Sequence, residues 1–181
     1  LLREAAALTQ DPRLRRFLEA RAAAFLSNDY YASDVAWMEL DGAVDPTIGP
    51  YETYADGWFG AKAAFEAFIA VRDDAETAKL ARFAAELQGI EDALPIDAAL
   101  KNPKLGAMAP IRVVNELSCH GEASGGVQTA AYNLPNDDRI VKEKGAKRVM
   151  LKNVQRAKYD AVLVPIAKVA LSPADRANLA F

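Results

Sequence analysis

Residues 64–76 read AFEAFIAVRDDAE, and the change of rhythm inside this stretch decides the fold class. From 64 to 72 the chain alternates with period two. Phe65, Ala67, Ile69 and Val71 fall on one face and Glu66, Phe68, Ala70 and Arg72 on the other, as in a β-strand. The alanines leave a helix as the competing reading. Asp73 then offers an acceptor with Glu76 three residues on, the form of a capping box. Leu80, Phe83, Leu87, Ile90 and Leu94 follow at steps of three and four, which is helical, until Pro95 stops the run. A strand running straight into a helix places the chain among α+β folds.

Toward the amino end, Asp11 and Pro12 supply an N-cap acceptor and a proline at the first helical position. Leu14, Phe17, Leu18, Ala22 and Phe25 continue at helical spacing up to Ser27. Residues 35–40 (VAWMEL) read as a strand closed by an Asp41-Gly42 turn, and about 47–54 as a second extended segment. Toward the carboxyl end, residues 95–110 hold three prolines and read as a loop. Residues 111–117 and 127–134 read as strands around a glycine-rich turn at 121–126. Asn136 is placed to cap a helix through Lys144, closed by Gly145. Residues 148–151 read as a short strand, and Asn153 as the cap of a last helix that Pro165 should kink or break. The sum is a mixed, short-stranded β core of five or six strands with three or four flanking helices. It divides into a helical segment (1–30), a β-core lobe (31–160) and a second helical segment (161–181).

Composition excludes several functions. The chain has 181 residues, 51% hydrophobic and 26% charged, with net charge -3. That balance gives no basic field for a nucleic-acid backbone. No stretch approaches the roughly 18 apolar residues that cross a bilayer. The opening LLREAAALTQ has no features of a signal peptide, lacks an initiator Met and reads as mid-helix, which implies a piece of a longer protein. The compartment stays open.

The catalytic inventory is short. His120 and Cys119 are the sole histidine and cysteine. A hydrolytic zinc site takes about three protein ligands, and adjacent residues on a strand point to opposite faces. No nucleophile elbow, phosphate loop or dinucleotide motif occurs. What remains is a set of polar groups beside prolines. Glu52 and Tyr54 fall on one side of PYETY (50–54), and Asn133 and Asn136 flank the proline of NLPN (133–136). A carboxylate, two amides and a phenol can grip an ammonium, a peptide backbone and an oxyanion. The plainer reading makes Tyr54 a core residue and the asparagines turn formers and a helix cap.

Three stretches resemble the dipeptidyl peptidase III family of zinc metallopeptidases, its bacterial branch more than the animal enzymes. They are GPYETYADGWFGAKAAFEAFIAVRD (49–73), GGVQTAAYNLPNDDR (125–139) and GAKRVMLKNVQRAKY (145–159), with the ELQGIEDALP helix end between them. They stand in family order over about residues 46–160. The resemblance implies a two-lobed exopeptidase that removes dipeptides from the free amino end of short peptides. It implies Glu52 for the substrate ammonium, Tyr54 as the catalytic phenol, and Asn133 and Asn136 for the substrate's amino end and backbone. The strand before them would pair with the peptide. The family's His-Glu zinc helix is missing and is expected after residue 181, so zinc would belong to the full-length parent and this chain alone would be inactive. The implied partners are a short peptide and the remainder of the parent, with its zinc lobe. In some relatives a Nudix hydrolase domain precedes this region. The alternative is a non-enzymatic peptide-binding or structural α+β module.

Overall fold

A computed structural model describes residues 1–53, 57, 59, 63–103, 111–125 and 127–179. The chain opens with three helices, α1 (Leu2–Leu8), α2 (Pro12–Ser27) and α3 (Tyr31–Met38). Strands β1 (Val44–Glu52) and β2 (Ala64–Arg72) follow, then the long helix α4 (Asp74–Ala93). Strand β3 (Ile111–Gly121), strand β4 (Ala131–Leu134), helix α5 (Asp138–Lys144) and strand β5 (Lys147–Leu151) complete the sheet. The chain ends in α6 (Lys152–Lys158), a π-helical turn (Tyr159–Leu163), α7 (Val164–Ala170) and α8 (Pro173–Arg176). The α+β class is as the sequence predicted.

The five strands form one mixed sheet in the order β1-β2-β3-β5-β4. Only β3 and β5 run parallel; the other neighbours are antiparallel. The sheet curls, so its two edges meet. The Thr47 hydroxyl on β1 lies 2.9 Å from the Tyr132 hydroxyl on β4, and the Tyr132 ring stacks on Phe68 of β2.

Two apolar clusters flank this closure. Ala6, Phe17, Leu18, Ala36, Trp37 and Leu40 bring the first three helices against Tyr51 and Leu134. Phe68, Ala70, Val114, Val149 and Leu151 form the other, with Val154 of α6 and Ala123 packed on it. Tyr132 borders both.

Three local expectations are corrected. Residues 35–40 are not a strand: α3 occupies most of them, with Ser33, Ala36, Trp37 and Leu40 buried at helical spacing and the indole N–H donating to the Pro46 carbonyl. Asp137, not Asn136, caps α5, accepting from the Arg139 N–H. Asn153 does not cap α6. It lies inside the helix, where its amide accepts from the Glu116 N–H and donates to the Glu116 carbonyl, tying α6 to β3. Pro165 falls in the first turn of α7, directly after the π turn that interrupts the α-helical path from α6. The π turn just before it widens the spiral where the proline ring and its missing N–H would break α-helical bonding.

Candidate functional site

The curl sets the site. Strand β1 ends at Tyr51 and Glu52 on one edge of the sheet, and β4 runs into Asn133 and Leu134 on the other. Between them opens a cavity of about 740 Å3. Glu52, Asn133 and Asn136 all line it, with Glu122, Gln128 and Thr129. Tyr54 lies outside the described residues.

Each lining residue is held by identifiable contacts. Tyr51 is buried, and its hydroxyl donates to the Asp34 carboxylate at 2.7 Å and accepts from Arg21 Nη2 at 2.9 Å. Arg21 is itself fully buried, paired with Asp34, and its guanidinium lies among the rings of Phe17, Tyr30 and Tyr51. Burial, first of all, keeps the Tyr51 phenol well above its ordinary pKa. This ionic and aromatic bracket fixes the strand end that carries Glu52. On the far edge, the Leu134–Pro135 peptide is cis, and the Asn136 Nδ2 donates to the Tyr51 carbonyl at 2.8 Å. One Asn136 N–H is therefore engaged in tying the two edges together. Asn133 is exposed. Its backbone pairs with Arg148 of β5.

Among the described residues strand β4 pairs only with β5, so one row of its backbone groups is outside the ladder, on an edge strand. Just before it, Ala130 accepts from the Leu151 N–H and from the Gln155 amide, and Lys158 Nζ donates to the Gln128 carbonyl. These bonds pin residues 128–130 along the cavity wall.

A further residue, not singled out above, stands at the same end of the β1–β2 pair, beside Glu52. Glu66 faces inward with Phe68 and Ala70, 5% exposed, and lies next to Glu52 in the β1–β2 register, where Gly49 pairs with Glu66 and Glu52 with Ala64. Burial, then the Glu52 charge, raise its pKa to about 8. The signal was present in the alternation: a carboxylate in phase with Phe68 and Ala70 sits on the core face.

The described residues do not fit a zinc site. Among them no group of three His, Cys, Asp or Glu side chains is close enough to hold a metal. Cys119 packs against the cluster around Phe68, while His120 lines an apolar groove with Phe25 and Phe65. No helix among the described residues is long and apolar enough to cross a membrane.

The sequence profile of peptidase family M49 matches residues 1–172. The chain belongs to peptidase family M49. The M49 chain is 49% identical over 180 residues to "Nudix hydrolase 3" of Arabidopsis thaliana, covering 99% of this chain and 23% of that protein. It is 32% identical over 126 residues to "Dipeptidyl peptidase 3" of Mus musculus, covering 69% of this chain and 16% of the mouse protein. Among solved structures, dipeptidyl-peptidase III from Corallococcus sp. strain EGB is 70% identical with a TM-score of 0.81, and covers 99% of this chain and 33% of its own. DPP III from Caldithrix abyssi is 48% identical with a TM-score of 0.89, covering 99% and 34%. The M49 chain thus spans about a third of these structures and less than a quarter of the curated relatives.

Proposed function

We propose that this chain is the peptide-holding part of an M49 exopeptidase that releases dipeptides from the amino end of short peptides. The observation that carries the reading is the cavity bounded by Glu52 on one sheet edge and by the open edge of β4 on the other. An extended peptide added to β4 gains main-chain hydrogen bonds along its length. Glu52 lies at one end of that wall and supplies a carboxylate for the terminal ammonium. A wall that closes on a charged amino end limits how many residues can precede the bond to be cut.

Asn133, exposed in the cavity, is assigned the substrate backbone. Asn136 is assigned a double part, bracing the Tyr51 carbonyl while its remaining amide groups face substrate. Tyr54 is proposed as the phenol that stabilises the oxyanion, on the family resemblance. Zinc would be held by the remainder of the parent protein, and no step assigned to these residues runs through it.

The test is steady-state kinetics on the full-length protein with dipeptidyl arylamides. Glu52→Gln is expected to raise KM by about tenfold or more, the cost of losing a charge-assisted bond. An N-acetylated substrate, which has no ammonium, should be refused by the wild type. Tyr54→Phe is expected to lower kcat by about 100-fold with KM nearly unchanged, because an oxyanion donor acts mainly in the transition state. Equal turnover of acetylated and free substrates would remove the exopeptidase reading.

A further inference from the structure

The β1–β2 end holds two neighbouring carboxyl groups, since Gly49 pairs with Glu66 and Glu52 with Ala64. Glu66 is buried, its Oε2 has no hydrogen-bond partner, and its carboxyl meets that of Glu52. Glu122, beyond the end of β3, adds a third negative charge nearby. Among the described residues no cation forms an ion pair with Glu66.

The neighbouring charged groups do not neutralise it. Arg21 of α2 approaches β1 near Gly49, where an added Cβ would lie 2.8 Å from Nη1, but its guanidinium is paired with Asp34. His120 of β3 sits opposite Ala67, on the outer groove. Two neighbouring carboxyls, one of them buried with an unpartnered oxygen, do not both ionise, so one of them carries a proton. Glu66 is the more buried of the two, which makes it the one disfavoured as an anion.

We propose that Glu66 is a positioning residue, donating from its protonated carboxyl to the Glu52 carboxylate and so presenting a single, oriented negative charge to the substrate's ammonium. This rests on the assignment of Glu52 made above. Without the donor, Glu52 keeps its charge but is free to rotate away from the β4 edge. With Glu66 ionised, the pair would carry two charges for one ammonium and repel internally.

Two substitutions in the full-length protein separate a hydrogen-bonding role from a packing role. Gln retains a donor and a neutral charge at position 66, whereas Leu retains only volume. For dipeptidyl arylamide hydrolysis at pH 7, Glu66→Gln is expected to leave KM within about threefold, and Glu66→Leu to raise it about tenfold with kcat nearly unchanged. In a Glu52→Gln background, Glu66→Leu should add nothing further. The opposite order, with Leu tolerated and Gln harmful, overturns the proposal, as does a full effect of Glu66→Leu in the Glu52→Gln background.

An infrared difference spectrum gives a readout independent of substrate. Wild type minus Glu66→Gln at pH 7 should show the carbonyl band of a protonated carboxylic acid. Absence of that band overturns the pairing even where Glu52→Gln raises KM. If Glu52→Gln leaves KM unchanged, the ammonium assignment fails by itself, and the band still decides whether the two carboxyls share a proton.

Discussion

At the scale of single residues, the site combines groups that the sequence announces with one that it conceals. Glu52, Asn133 and Asn136 stand beside prolines in extended segments, and all three reach one cavity. Glu66 was concealed because a glutamate on a strand is ordinarily read as solvent-facing, and only its phase with Phe68 and Ala70 says otherwise. Its burial has a consequence for stability. The folded pKa of about 8 lies above the ordinary 4.5, so between those values the folded chain binds a proton that the unfolded chain has released. Stability is therefore highest at acid pH as far as this group is concerned. It declines by up to about 1.4 kcal/mol per pH unit as pH rises from 4.5 toward 8, and levels off above. Denaturant unfolding at several pH values should show this slope in wild type, and Glu66→Gln should flatten it. An unchanged slope in Glu66→Gln would place the responsible group elsewhere.

At the scale of elements, legibility followed the length of the periodic pattern. The alternation at 64–72 and the steps of three and four from Leu80 to Leu94 run through several turns or residue pairs, and both became the elements they implied. The run at 35–40 spans fewer than two helical turns, too short for its period to distinguish strand from helix. Including Ser33 would have shown a 33-36-37-40 spacing. The caps at Asn136 and Asn153 failed for a different reason. An amide that could cap a helix can equally bind a backbone carbonyl across the fold, and only tertiary structure chooses. Gly121 shows how tightly one element end is specified. It closes β3 with φ of 72°, and a Cβ there would stand 2.2 Å from the Phe65 carbonyl oxygen. It also pairs directly with Glu66. Gly121→Ala combines a disfavoured backbone with a collision against main chain. It is expected to destabilise the fold by about 2–3 kcal/mol in urea unfolding, and to raise KM by displacing the Glu66–Glu52 pair. A neutral Gly121→Ala would mean that the β2–β3 end shifts freely.

At the scale of the whole molecule, the distribution of apolar surface argues that this chain works against something larger. Val127 is 88% and Val169 90% exposed, and Val162, Leu163 and Ile166 lie between them on the π turn and α7. With Tyr159 and the stem of Lys158, three of these line an open groove of about 610 Å3. The stripe on α4 is similar, with Phe83, Ile90 and Leu94 exposed and Leu80 and Leu87 half-buried. Contiguous patches of this kind are uncommon on free monomers. The solved relatives extend to about three times this length, so the occupant proposed for the α7 face is the remainder of the parent chain. The expectation is concrete. Expressed alone, residues 1–181 should bind a hydrophobic dye or self-associate in analytical ultracentrifugation, and Ile166→Lys with Val169→Lys should suppress both. In the full-length protein the same pair of substitutions should instead destabilise the fold by about 2–5 kcal/mol, because each buries a charge without a partner. A strictly monomeric chain without dye binding, together with a full-length protein indifferent to the two lysines, would mean that the α7 face meets solvent in both.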